Sequence, residues 1–126
     1  HQSARYRVDF GSESEHQSSS GVIFATGTGA TGWARSISRE RRDPVELPRP
    51  SDRRLAFFVR EAFPSVATGT SLTQGSVDDS ARVEVISEMT EGGVLFGDGI
   101  EHDAIELPWG VRARVAVAEV QLGLVR

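Results

Sequence analysis

The chain has 126 residues and a formal net charge of −4, so it can bury one core but offers no overall basic field for nucleic acid. It contains no cysteine, which excludes a disulfide framework and a thiolate metal site and fits a reducing, cytoplasmic setting. No apolar stretch approaches the roughly 20 residues that a membrane-spanning helix requires, and all 14 basic residues are arginine, which removes every lysine-based chemistry.

In chain order, Ala4, Tyr6, Val8 and Phe10 alternate with Arg5, Arg7 and Asp9, the period of a half-buried strand. The polar stretch from Gly11 to Ser20 reads as a loop. Residues 21–26, Gly-Val-Ile-Phe-Ala-Thr, are apolar on both faces and read as a central strand. A helix follows from Trp33, with Thr28 or Thr31 as its cap, Trp33, Ala34 and Ile37 as its apolar stripe, and Arg35, Arg39, Arg41 and Arg42 facing out. Pro44, Pro48 and Pro50 impose an irregular connector.

Beyond the connector the period is two. Leu55 to Val59 is an apolar run, and Ala81, Val83 and Val85 alternate with Arg82 and Glu84. Val94-Leu95-Phe96 leads into Gly97-Asp98-Gly99, a hairpin signal in which Asp-Gly supplies positive φ. Ile105 to Leu107, Val111 to Val117 and Val120 to Leu124 complete the set. Seven or eight short strands and one helix predict a single domain over 1–126: mainly β, a two-layer antiparallel sandwich with one helix after a glycine-rich loop.

That loop, Gly27-Thr28-Gly29-Ala30-Thr31-Gly32, is a G-x-G-x-x-G run between a strand and a helix start. Glycines let a ligand approach the main chain, and N–H groups at a helix start favour anionic or polar ligands, so the run predicts contact with a nucleotide. A dinucleotide-binding α/β fold does not fit, because it needs a second parallel strand ending in an acid about 20 residues on, and here a proline-rich connector follows.

Residues 20–33, Ser-Gly-Val-Ile-Phe-Ala-Thr-Gly-Thr-Gly-Ala-Thr-Gly-Trp, resemble the signature of the C-terminal domain of NAD kinases, which reads roughly Asp-Gly-x-x-x-x-Thr-Pro-Thr-Gly-Ser-Thr-Ala-Tyr. Ser3 to Arg7, Phe96-Gly97-Asp98-Gly99 and Leu107-Pro108-Trp109-Gly110-Val111 are similar to flanking segments of that family. The family's aspartate, proline, serine, alanine and tyrosine are replaced by Ser20, Gly27, Ala30, Gly32 and Trp33. The resemblance implies a mostly antiparallel β domain that supplies much of the NAD site, with Thr31, Gly32, Trp33 and Ser36 lining it and Thr28, Gly29 and Asp98 joining them. It implies a separate N-terminal α/β domain that brings ATP, Mg2+ and the catalytic groups, with no catalytic residue in this chain. NAD or a related dinucleotide, that N-terminal domain and further copies of the chain are the expected partners. A non-catalytic dinucleotide sensor, or a lipid or sugar kinase of the same superfamily, remain open alternatives.

Two clusters complete the reading. Asp98, Glu101, His102 and Asp103 could gather around a divalent ion but read as a polar hairpin tip, and no metal site is expected. Residues 35–54 hold seven arginines against four acids, a basic stretch beside the glycine loop that contains no aromatic residue to stack a nucleic-acid base.

Overall fold

The computed structural model describes residues 3–27, 33–43, 45–49, 51–95, 105–117 and 122–125. Among them the order is β1 (Ala4–Phe10), β2 (Glu13–Ser19), β3 (Gly21–Ala25), α1 (Trp33–Arg39), β4 (Arg54–Arg60), β5 (Gln74–Asp78), β6 (Arg82–Ser87), β7 (Val94–Leu95), β8 (Ile105–Glu106), β9 (Arg112–Val117) and β10 (Leu122–Val125). The chain is mainly β, and each strand pairing is antiparallel, as the period-two reading predicts.

One layer is a five-stranded sheet in the order β10-β9-β6-β1-β2, the other a three-stranded sheet in the order β3-β4-β5, and β7 pairs with β8 separately. The core lies between the layers. Tyr6 and Val8 of β1, Leu55 and Phe57 of β4, Val77 of β5, Val83 of β6 and Val115 of β9 form one buried cluster with Leu72. Phe57 meets the edge of Phe10 with ring centroids 5.3 Å apart, which adds a directional term to simple burial.

Strand β4 is buried along Leu55–Val59 because it has a covered face on each side. Leu55 and Phe57 point into the sandwich, while Ala56 and Phe58 form a second cluster with Ala25, packed by Val45 and Leu47 of the connector. The connector is fastened by polar contacts: Gln74 Nε2 donates to the Asp43 carbonyl at 2.6 Å, and Arg54 Nη1 to the Glu46 carbonyl at 2.8 Å. The outer face of the larger sheet alternates into charge, with Arg7 on Asp9 and both Arg112 and Arg114 near Glu84.

Three sequence expectations are corrected. The stretch 11–20 is not a loop: Phe10 pairs with Glu13 across Gly11-Ser12, Gly11 takes φ 62°, and β2 runs back along β1 to Ser19. Its inward residues are polar, so an apolar-period reading passes over it. Strand β3 is not central but an edge of its sheet, and the central strand is β4. Strand β5 was also not anticipated; Gly75 stands there because a Cβ would collide with the rings of Phe57 and Phe10.

Strands β7 and β8 pair antiparallel, with Val94 opposite Glu106 and Leu95 opposite Ile105. Residues 96–104 themselves, including Asp98 and the Asp98, Glu101, His102, Asp103 cluster, lie outside the described residues.

Candidate functional site

Where α1 ends beside β4, a groove of about 490 Å³ opens, within the size range of small-molecule sites. Ser36, Glu40 and Arg41 line it from the helix side, Val59, Arg60, Glu61 and Ala62 from the end of β4, and Thr70 and Thr73 from the segment before β5.

Arg41 holds this junction together. Its guanidinium donates to the carbonyls of Val59 and, at 3.2 Å, Thr73, and lies 5.7 Å from the centroid of the Phe58 ring. Two carbonyls and a ring face on one planar cation fix the end of α1 against β4. Burial lowers its pKa, with nearby Glu40 pulling the other way. Arg41 therefore does not face out with Arg35, Arg39 and Arg42, which are exposed; the pattern of the helix gave no sign that one cation would turn inward.

The opposite wall is set by β2. Glu15 accepts the backbone N–H groups of Ser71 and Leu72, the latter at 3.0 Å, and Gln17 Nε2 at 2.7 Å. Burial raises the Glu15 pKa, but the bonds from Gln17, Leu72 and Ser71 outweigh it, and the net direction is down. Gly69 passes so close to this carboxylate that a Cβ there would strike it. Phe63 N–H to Ser18 O at 2.8 Å and Gly69 N–H to His16 O at 2.9 Å dock the same segment along the free edge of β2. These two bonds satisfy carbonyls that the edge would otherwise leave unpaired.

At the mouth of the groove Ser20, which follows β2, donates its N–H to Arg60 O at 2.8 Å and its hydroxyl to Glu61 Oε1 at 3.0 Å. Glu61 has φ 51°, a left-handed conformation that costs a residue with a Cβ.

Of the residues expected to line a dinucleotide site, Ser36 is exposed and lines the groove. Trp33 begins α1, and its side chain lies outside the described atoms. Thr28, Gly29, Thr31 and Gly32 lie outside the described residues, as does Asp98. Gly27 is described and buried, and it is not among the described glycines with positive φ, which are Gly11, Gly21, Gly92 and Gly110. Positive φ at the first glycine of the loop is thus not needed. Glu61, Arg41 and the hydroxyls of Thr70 and Thr73 were not anticipated, and no local motif announces them.

Among the described residues, no group of three or more His, Asp or Glu could hold a metal ion, and no helix is long and apolar enough to cross a membrane. In comparison with known proteins, the chain matches no family model and no curated sequence.

Proposed function

We propose that this chain is the dinucleotide-acceptor domain of an NAD-kinase-like protein, one that transfers a phosphoryl group from ATP or a similar donor to the 2′-hydroxyl of NAD. The observation that carries this reading is the position of Ser36. It lies three residues beyond the segment that resembles the family signature, at a position the resemblance assigns to the dinucleotide site, and it opens onto the groove at the end of β4.

In this reading the chain binds and orients. Strand β3 leads the glycine-rich segment toward α1, Arg41 fixes the helix end, and the Glu15-pinned segment supplies the hydroxyls of Thr70 and Thr73. In this reading the metal, the phosphate cradle and the base belong to the partner domain. Phosphoryl transfer rests on positioning and electrostatics, which lets one domain position while the other carries the charge-stabilising groups.

The test is a kinase assay with NAD, ATP and magnesium, run on the chain alone and on the chain joined to its upstream domain, with a thermal melt in parallel. The expected result is a cooperative melt without turnover for the chain alone, and NADP formation by the joined protein. Turnover by the chain alone, or a joined protein that leaves NAD unchanged, would contradict the reading.

A further inference from the structure

Strand β3 is an edge of the three-stranded sheet, and its Val22, Ile23 and Phe24 are only half-buried. The register fixes where its backbone groups point. Val59 N–H donates to Thr73 O on the β5 side of β4, so Ala56 and Phe58 turn their N–H and C=O groups toward β3, where they meet Ala25 and Ile23. The N–H and C=O groups of Val22 and Phe24 therefore point away from β4, along the outer edge of the sheet.

Two other edges are occupied in part. The edge of β2 receives the N–H groups of Phe63 and Gly69. Strand β5 ends in an exposed Asp78, and its Gln74 side chain is tied to the Asp43 carbonyl and the Val45 N–H. Strand β3 differs. No charged residue and no proline stands between Gln17 and Ala34, and no backbone bond from the described residues reaches the outward groups of Val22 or Phe24. An uncharged, apolar edge is a template for one more strand. The chain carries a net charge of −4, so two copies repel over much of their surface, but along β3 no charge opposes contact.

We propose that β3 is the contact between two copies of this chain, paired antiparallel about a two-fold axis at Ile23. Identical edges related by a two-fold axis run antiparallel without further adjustment, which a different protein would have to match residue by residue. Ile23 then faces the partner's Ile23 as a non-hydrogen-bonded pair. Val22 and the partner's Phe24 exchange both backbone hydrogen bonds, as do Phe24 and the partner's Val22. The sheet β5-β4-β3 continues without a break into the sheet of the second copy. This pairing does not depend on what the groove binds.

The experiment follows the purified chain by sedimentation velocity from about 5 to about 500 µM, with amide exchange read by NMR at both ends of the range. The expected result is a monomer–dimer equilibrium in which the Val22 and Phe24 amides exchange about tenfold or more slowly in the dimer, while those of Ile23 and Ala25, bonded within the chain, keep their rates. Ile23→Lys sets two ammonium groups face to face at the axis, and Val22→Pro removes an outward N–H without touching the bonds to β4. Each should weaken dimerisation about tenfold or more. A chain that stays monomeric throughout, a dimer in which Val22 and Phe24 exchange as fast as in the monomer, or either variant folded and dimerising like the wild type would overturn the assignment. Should a variant fail to fold, the exchange pattern of the wild type decides alone.

Discussion

Strand β4 carries Leu55, Phe57 and Val59 on one side and Ala56 and Phe58 on the other, all buried, whereas β2 turns Glu15, Gln17 and Ser19 inward from a sequence with no apolar residue. The first is held by removing apolar surface from water. The second is held by satisfying each polar group: Tyr6 Oη donates to Gln17 Oε1 at 2.8 Å and lies 2.8 Å from Ser19 Oγ, and Gln17 Nε2 donates to the Leu72 carbonyl at 2.7 Å. Gln17 and Ser19 are as inaccessible as Phe57, each 0 % exposed. Burial in this fold is therefore reached in two ways, and the candidate groove lies where the two strands end side by side, Ser20 against Arg60 and Glu61.

If that contrast holds, the two strands respond differently to perturbation. The largest effect belongs to β4. Phe57→Ala removes a ring that packs against Phe10 and Phe24 and should cost about 3–5 kcal/mol in denaturant unfolding. A loss below about 1 kcal/mol would mean the layers are not held by this core.

The polar seam should reveal itself through pH instead. Burial pushes the Tyr6 hydroxyl up to about 12, with the Ser19 bond opposing and Glu15 adding to the rise. The folded chain then holds this proton more tightly than the unfolded one. The resulting stability is complete below about pH 10 and is lost as pH rises toward 12, about 2–3 kcal/mol in all. Equilibrium unfolding across this range should show the decline, and Tyr6→Phe should remove it.

The smallest effect concerns the Glu15 contacts to Ser71 and Leu72. The Glu15 pKa is lowered, so its contribution is present above the ordinary glutamate range and is lost as pH falls through the lower folded value. Glu15→Gln should flatten the acid limb of the stability profile and speed amide exchange at Ser71 and Leu72, with little change at neutral pH in β4.

The same contrast explains what the sequence could show. Strands β1, β4, β6 and β9 were legible because apolar side chains repeat along them, and the sandwich followed. Strand β2 was not, since its inward residues are polar: Gln17 and Ser19 are buried against Tyr6 and, for Gln17, the Leu72 carbonyl, while Glu15 is bonded to Ser71 and Leu72. Strand β5 was hidden by Gly75, whose role is to make room for Phe57. In the groove, Ser36 could be named from the family resemblance, but the inward turn of Arg41 and the left-handed backbone of Glu61 depend on contacts with β4, β2 and the Thr70–Thr73 segment. The glycine run, apart from Gly27, lies outside the described residues.

The central claim is that the groove beside Ser36 receives NAD. Isothermal titration of the purified chain with NAD, alongside Ser36→Phe, tests it most directly, because position 36 is exposed on α1 and a phenylalanine there would fill the groove with little effect on the core. Saturable NAD binding by the wild type, weakened at least tenfold in Ser36→Phe at an unchanged melting temperature, is the predicted result. A folded wild-type chain that gives no saturable NAD binding, or a Ser36→Phe chain that binds NAD as tightly as the wild type, would contradict it.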